Sequence, residues 1–259
     1  MDTLLQVDNV SKVFGGLAAL SNLSFSVGRG EIVGLIGPNG AGKTTAFNVI
    51  SGTNSPSSGV VRFKGVDVTG GPPSQVVRLG LARTFQATSI YPAVSVEENL
   101  YRGAIAAVDT GLFDQLINGA RTRAAVARVR ENVENVLETM GLAQFRHTPA
   151  GGLSYGYQKR LGVAVALATR PELLLLDEPA AGLNSEESAE FGRLLRKLRG
   201  DMNLTLLLVE HHMALVMDLC ERILVLVQGE KIAEGSPGEV RENPLVIEAY
   251  LGAPEYAHA

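Results

Sequence analysis

The sequence contains few of the residue types that cross-link a chain or stack against a ligand. It has no tryptophan, and aromatic residues make up 5% of its 259 positions. Its one cysteine, Cys220, excludes an internal disulfide. The apolar neighbours of Cys220 predict a buried structural thiol, and this cysteine usage fits a reducing compartment.

Charge and hydropathy exclude two further classes of protein. The chain has 23 basic and 27 acidic residues, a net charge of −4, so we expect no nucleic-acid partner. The longest apolar runs, such as Leu173 to Leu176 and Leu206 to Val209, are far shorter than the ~20 residues of a membrane helix. Met1 to Gln6 lacks a basic region followed by an apolar core, so no export signal is expected.

A glycine-rich loop between a predicted strand and a predicted helix is the strongest feature that is present. It fits the pattern G-x-x-x-x-G-K-[ST], with the strand Ile32 to Ile36 before it and the helix Thr44 to Ile50 after it. The glycines let backbone N–H groups point at one anion, and the helix N-terminus and Lys43 add positive charge. The loop therefore predicts a nucleotide site in which Thr44 holds Mg²⁺. Its residues are Gly37, Pro38, Asn39, Gly40, Ala41, Gly42, Lys43, Thr44 and Thr45.

Two carboxylates follow a second predicted strand. Asp177 and Glu178 come directly after the apolar run Leu173 to Leu176. Carboxylates are costly to leave unpaired near a core, so a metal or a proton-transfer role is expected. We assign Asp177 to the Mg²⁺ shell and Glu178 to orienting and polarising the attacking water. The alternative is a strand that turns polar where it meets solvent, which the glycine loop disfavours.

The hydrophobic patterns predict the α/β fold class with a mainly parallel sheet core. Leu23 to Val27 and Val61 to Lys64 alternate instead, which indicates an antiparallel β subdomain near the N-terminus. From about Ala87 to Val163 the pattern becomes helical, as expected for an inserted helical subdomain. The runs predicted to be strands buried on both faces are Ile32 to Ile36, Leu173 to Leu176 and Leu204 to Val209. Capping residues predict helix starts at Ser95, Asn184, Ser236 and Asn243.

With these motifs in place, the chain resembles the ATP-binding subunits of ATP-binding cassette (ABC) transporters. Six motifs follow that family's order along nearly the whole chain. They are Gly37 to Thr45, Gln86 after Arg83-Thr84-Phe85, the signature Leu153 to Gln158, Asp177-Glu178, Ala181 to Asn184, and His211 after Glu210. The resemblance implies a P-loop NTPase fold of the ABC ATPase type. Residues 1–259 form a single domain in this interpretation, and residues 87–163 are a helical subdomain inserted in a RecA-like core.

The same resemblance implies roles for residues that the chemistry alone does not single out. Phe14 would stack on adenine. Gln86 would bridge the metal site to the surface that faces the membrane partner. His211 would hydrogen-bond the γ-phosphate and act with Lys43 and Glu178 in catalysis.

The signature is the most diagnostic of the six motifs. Ser154 is expected to cap a helix beginning near Gln158, and Gly156 lets a phosphate approach the backbone. In the family this segment closes over the γ-phosphate bound by the opposite subunit. The resemblance therefore implies two ATP molecules sandwiched in a head-to-tail dimer.

A subfamily is indicated by residues that depart from the common pattern. Tyr155 replaces a glycine of the signature, and Asn184-Ser185 replaces Asp-Pro. The chain resembles the first ATPase subunit of branched-chain amino-acid importers in its Tyr155 signature, its run Glu178 to Asn184 and its ending Ile247 to Gly252. The implied partners are a second ATPase subunit or a second copy of this chain, two transmembrane permeases and, indirectly, an extracytoplasmic solute-binding protein. The implied cofactors are ATP and Mg²⁺, and the implied location is peripheral, on the cytoplasmic face of the inner (plasma) membrane.

Other functions share part of this pattern. Closely similar cassettes serve urea or amide import and lipopolysaccharide export, and phosphate chemistry does not distinguish the solutes. A cassette acting on ribosomes or DNA ends usually has a second cassette or a long coiled coil, and this sequence has neither. A kinase would share the loop but not the signature or His211. A regulatory cassette that does not hydrolyse ATP is disfavoured by Glu178.

Overall fold

The computed structural model describes residues 2–84, 90–106 and 120–251, without the side chains of 106, 120–122, 125 and 251. Its residues fall into two compact units. The first comprises Met1–Arg83 with Glu172–Ala259, and the second comprises Thr84–Pro171. The bounds of the second unit lie outside the predicted 87 to 163 at both ends.

A six-stranded sheet forms the centre of the first unit. Its strand order is β10-β9-β3-β8-β7-β6, parallel throughout except for the antiparallel pair β9 and β10. Every residue of β3, β7 and β8 is buried, as expected for strands covered on both faces. The strands are β3 (Ile32–Ile36), β6 (Leu81–Arg83), β7 (Leu173–Asp177), β8 (Thr205–Val209), β9 (Arg222–Val227) and β10 (Glu230–Gly235).

A four-stranded antiparallel sheet forms the rest of the β-structure of this unit. Its order is β2-β1-β4-β5, and a two-residue turn joins β1 to β2. The predicted alternating segments fall in β2 and β4, whereas the 12-residue strand β1 was not predicted. The strands are β1 (Thr3–Phe14), β2 (Leu17–Gly28), β4 (Ser58–Phe63) and β5 (Val66–Asp67). Together the two sheets confirm the predicted fold class.

Four of the described helices, α3, α6, α8 and α9, begin directly after the capping residues that the sequence indicates. Capping boxes are present at Asn184 with Glu187 and at Ser236 with Glu239. The described helices, in chain order, are α1 (Lys43–Ile50), α2 (Pro73–Leu79), α3 (Val96–Ala106), α4 (Ala120–Thr139), α5 (Tyr155–Leu167), α6 (Ser185–Met202), α7 (Met213–Leu219), α8 (Pro237–Glu242) and α9 (Pro244–Leu251). Within residues 2–84, 90–106 and 120–251, no helix is both long and apolar enough to cross a membrane.

The helical unit is built from α3, α4 and α5, which pack against one another. The Oγ of Ser95 accepts a hydrogen bond from the N–H of Glu98 at 3.1 Å, at the predicted start of α3. Asn132 is buried and donates to the carbonyl of Ala168 at 2.7 Å, which ties α4 to the end of α5. The buried stripe of α4 and the turn after it is Val129, Val133, Val136, Leu137 and Met140.

The core of the first unit holds α1 against both sheets. Phe47 of α1 is completely buried in one cluster with Leu5 of β1 and Leu207 of β8. Cys220 is buried beside β3, and burial raises the pKa of its thiol to about 12. The prediction of an inert structural thiol is therefore confirmed.

Candidate nucleotide site

The glycine loop follows β3 and is locked in place by close backbone contacts. Gly37 has φ +152°, and a Cβ there would lie 2.0 Å from the carbonyl oxygen of Leu226 in β9. Gly42 has φ +100°, and a Cβ there would lie 2.5 Å from the carbonyl oxygen of Ala19 in β2. Neither position accommodates a side chain, because a backbone oxygen occupies the space. The glycines of the motif are thus required by sterics as well as by the ligand.

The N-terminus of α1 points positive charge into the site. Gly42 is its N-cap residue, no side chain caps the helix, and no acidic residue lies in its first turn. The first N–H groups and the helix dipole are therefore directed at whatever occupies the loop. Lys43 is 6% exposed, and its Nζ donates to the carbonyls of Gly37 at 2.7 Å and Pro38 at 2.9 Å.

The loop forms one wall of a cleft of about 570 Å³. Glu178 and His211 also line the cleft, and Leu17, the first residue of β2, adds an apolar side chain. Every residue lining this cleft belongs to the first unit. The lining residues are Leu17, Ala18, Ala19, Asn39, Gly40, Ala41, Gly42, Lys43, Thr44, Thr45, Glu178, His211 and Gln228.

Phe14, the predicted adenine contact, lies at the end of β1. It pairs in register with Leu17 and is 47% exposed. Its ring lies 4.8 Å from the Nζ of Lys12, within cation–π range. The structure places Leu17 on the cleft wall and Phe14 beside the lining residues, so the stacking role of Phe14 stays a prediction.

Parallel pairing brings the two strand-end motifs together. Asp177 pairs with Val209 across β7 and β8, and the N–H of Glu178 donates to the carbonyl of Val209 at 2.9 Å. Glu178 has φ +49°, an uncommon conformation for a residue other than glycine. The Nε2 of His211 lies 3.0 Å from Oε1 of Glu178. The carboxylate and the imidazole, 33 residues apart in sequence, therefore form a hydrogen-bonded pair on the cleft wall.

Asp177 forms a buried ion pair that sequence reasoning missed. An Nη atom of Arg83, at the end of β6, lies 2.8 Å from Oδ2 of Asp177, and the two side chains are 6% and 4% exposed. Arg83 also donates to Oδ1 of Asn48 at 2.7 Å and to Oγ of Ser51 at 3.1 Å. One guanidinium thus joins β6, β7 and α1. The signal in the sequence was a cation ending a short apolar strand.

The predicted metal residues in the first unit have the chemistry that Mg²⁺ prefers. Thr44 offers a hydroxyl on the cleft wall, whereas the carboxylate of Asp177 at the end of β7 is paired with Arg83 and does not line the cleft. In the described parts of the chain, no cluster of three or more His, Cys, Asp or Glu residues could hold a metal on its own. Proteins commonly bind Mg²⁺ through one or two oxygen ligands together with nucleotide phosphates and water. The third predicted residue, Gln86, lies outside the described residues.

The signature departs from one expectation. The helix α5 begins at Tyr155 rather than near Gln158, and the side chain of Ser154 at its N-cap makes no capping hydrogen bond. In this first turn Tyr157 packs on Phe145, with ring centroids 4.6 Å apart, and the side-chain amide of Gln158 donates to the carbonyl of Leu153 at 3.0 Å. The expected capping role of Ser154 is therefore wrong.

Glu210 is a second residue that sequence reasoning missed. It follows the last residue of β8, is 2% exposed and accepts backbone hydrogen bonds. Burial raises the pKa of its carboxyl group above the ordinary value. A charged residue that directly continues the apolar run Leu206 to Val209 was the available signal.

Comparison with known proteins places this site in a family. The model of the family described as "ABC transporter" matches residues 20–181, which is more than half of the chain. The chain belongs to the ABC transporter family. A second family, "Branched-chain amino acid ATP-binding cassette transporter", matches residues 230–256 of the cassette. The cassette is an ATPase, as is typical of this family.

Individual proteins agree with this assignment. The cassette is 43% identical over 249 residues to the high-affinity branched-chain amino acid transport ATP-binding protein LivG of Salmonella typhimurium, covering 96% of this chain and 98% of LivG. A crystal structure of an ABC transporter cassette in its ADP conformation matches with a TM-score of 0.84 and 31% identity, covering 97% of this chain and 100% of that chain. A dimeric post-hydrolysis cassette bound to ADP and Pi has a TM-score of 0.74 and 25% identity, covering 90% and 99%.

The Arg83 ion pair predicts a large loss of stability on substitution. Arg83→Leu should lower the free energy of unfolding by about 3–5 kcal/mol, because Asp177 is left buried without its cation. Urea unfolding of the full chain measures this. Arg102→Leu is the control; it breaks an exposed pair with Glu98 and should cost under ~0.5 kcal/mol. Adding Asp177→Leu to Arg83→Leu should recover part of the loss, and equal losses for the two arginine variants would contradict the role of the buried pair.

Proposed function

We propose that ATP hydrolysis by this cassette drives the import of branched-chain amino acids. The main observation that supports the solute is the 43% identity to LivG across nearly the full length of both chains. The match of residues 230–256 to a branched-chain amino acid family points to the same solute. The chemistry rests on the Glu178–His211 pair in the cleft of the glycine loop.

Nucleotide binding uses the loop and the start of α1. The N–H groups of the first turn and the helix dipole attract the phosphates. Lys43 holds its ammonium against the loop carbonyls of Gly37 and Pro38, from where it reaches a phosphate by rotating its flexible side chain. The apolar wall formed by Leu17, Ala18 and Ala19 faces the less polar part of the nucleotide.

Hydrolysis uses the strand-end groups. Glu178 orients and polarises the attacking water, and its φ of +49° turns the residue at the end of β7 toward the cleft. His211 is held 3.0 Å from Glu178 and contacts the γ-phosphate, so it responds when that phosphate leaves. Thr44 and Asp177 would hold Mg²⁺, which would supply charge neutralisation at the phosphates.

The complete site needs a second cassette. Lys43 belongs to the first unit and Ser154 to the second, and each marks the start of a helix whose N–H groups no side chain caps. We infer that Ser154 and Gly156 contact the nucleotide held by a partner cassette, in a head-to-tail dimer. A related cassette forms a dimer bound to ADP and Pi, which supports this arrangement.

The remaining partners follow from the family. We infer that two transmembrane permeases bind the cassette dimer at the cytoplasmic face of the membrane. An extracytoplasmic solute-binding protein delivers the amino acid to them. The second cassette is either a similar subunit or another copy of this chain. In this proposal Gln86 joins the metal site to the permease.

A transport assay tests the solute. The cassette is reconstituted in proteoliposomes with candidate permeases, a second cassette and a solute-binding protein from the same organism. We expect ATP-dependent uptake of labelled leucine, isoleucine and valine, and none with Lys43→Ala. Uptake of urea or a short amide without uptake of these three amino acids would overturn the proposed solute while leaving the ATPase assignment intact.

A substitution at Glu178 tests the hydrolytic mechanism. Glu178→Gln should bind ATP yet hydrolyse it about 10²–10⁴ times more slowly, because the amide cannot act as a base. Steady-state ATPase rates and nucleotide titration measure the two effects. Gln228→Asn, which changes another residue lining the cleft and tolerates its positive φ, should keep the wild-type rate. An undiminished rate for Glu178→Gln would remove Glu178 from this role.

Substitutions in the two units test the shared site. Ser154→Arg adds bulk and charge where a γ-phosphate must approach a helix N-terminus, so it should disable the nucleotide of the partner cassette. Lys43→Ala should disable the cassette's own nucleotide instead. Nucleotide cross-linking and single-turnover hydrolysis in the assembled complex distinguish them. Loss of ATP binding by an isolated Ser154→Arg chain would show that the signature serves a pocket within one chain.

A further inference from the structure

Glu210 joins two segments of the site through backbone hydrogen bonds. Its Oε1 accepts from the N–H of Ala180 at 2.7 Å. Its Oε2 accepts from the N–H of His211 at 3.1 Å and, with a longer contact, from the N–H of His212 at 3.4 Å. One carboxylate therefore holds the chain after β7 and the chain after β8 at a fixed separation.

Two residues that the proposed mechanism uses, Glu178 and His211, lie next to the hydrogen bonds of Glu210. Glu178, two residues before Ala180, bonds His211 through its side chain at 3.0 Å. On the other side, the Nδ1 of His212 lies 2.7 Å from the Oγ of Ser188 in α6. Three successive residues after β8, Glu210, His211 and His212, thus each make a side-chain contact with a residue that follows β7 in the sequence. Of these, only the Glu210 contact holds both main chains.

The position of Glu210 is costly for a residue with a purely structural role. It is 2% exposed, and an ionised carboxylate loses its hydration when it is buried. Burial raises the pKa of Glu210, and the charge of nearby Glu178 raises it further. The backbone donors offset part of this cost, as their hydrogen bonds favour the ionised form.

We propose that Glu210 is a positioning residue that sets the Glu178–His211 contact by fixing the backbones of Ala180 and His211. The proposal rests on the roles that the proposed function gives to Glu178 and His211. Glu210 itself acts through the main chain and does not line the cleft. Shortening or loosening this bridge lets the imidazole and the carboxylate move apart while the glycine loop and α1 stay in place.

Glutamine is an informative replacement because it keeps the size of Glu210 but has only one acceptor oxygen. If its oxygen faces Ala180, its NH₂ group faces the N–H of His211, which is a donor facing a donor. Rotating the amide by 180° moves the same conflict to Ala180. Either way one anchor is lost and a buried N–H is left without its acceptor.

The experiment measures kcat, KM for ATP and thermal unfolding for Glu210→Gln in the assembled transporter and the full chain. We expect kcat to fall between about ten- and a hundredfold, because small displacements of catalytic groups have effects of this size. KM and ATP affinity should change little. The control is Asn132→Ala, which removes a buried hydrogen bond in the helical unit; it should lower thermal stability while leaving kcat unchanged.

A double-mutant cycle with His211 separates positioning from structure. If Glu210 acts through His211, Glu210→Gln should reduce kcat much less in a His211→Ala background than in the wild type. Suppose that Glu178→Gln and His211→Ala are each slow, but that Glu210→Gln reduces kcat by the same factor with and without His211→Ala. That result would overturn the positioning role of Glu210 and leave the proposed function intact. Wild-type turnover by His211→Ala would instead overturn the proposed role of His211, and this proposal with it.

Glu210→Asp covers the case in which the glutamine variant does not fold. Aspartate keeps the charge and both acceptors but is one methylene shorter, so it cannot reach Ala180 and His211 together. The same loss of kcat with unchanged KM is expected. A wild-type kcat for a folded Glu210→Asp variant would overturn the proposal.

Discussion

The parallel pairing of β3, β8 and β7 is the constraint on which the site depends. Leu35 of β3 and Asp177 of β7 both pair with Val209 of β8, so the three strands end at the same edge of the sheet. The glycine loop begins directly after β3, Glu178 directly follows β7, and His211 lies two residues after the end of β8. Backbone hydrogen bonds therefore fix the distances between groups that are far apart in sequence, and side chains have only to complete the arrangement.

Buried charge beside this edge makes the arrangement specific. Arg83 compensates Asp177, and backbone N–H groups compensate Glu210, so neither carboxylate is buried without partners. Arg83 also links β6 to β7 and α1, and Glu210 links the residues after β7 to those after β8. Directional hydrogen bonds fix these separations more closely than apolar packing, which is non-directional. The positive φ of Glu178 is a further local cost, tolerated because the bond to Val209 and the contact with His211 hold the residue.

Each unit contains one of the two helix starts to which the proposed mechanism assigns phosphate contacts. The helix α1 begins at the glycine loop and α5 begins at the signature, and neither start is capped by a side chain. A capping carboxylate or hydroxyl would compete with a phosphate for the same N–H groups. The absence of caps here contrasts with the full capping boxes of α6 and α8.

Local features could be predicted from the amino-acid sequence, because motif spacing and hydrophobic periodicity act over a few residues. These features are the glycine loop, the buried strands, and the helix starts at Asn184 and Ser236. The sequence by itself did not determine β1 or the start of α5, where packing between distant segments overrides the local pattern. Only the tertiary structure revealed the partners of Arg83 and Glu210. Their roles depend on which strand ends lie side by side, and strand order follows from burial of the whole sheet rather than from any one stretch of sequence.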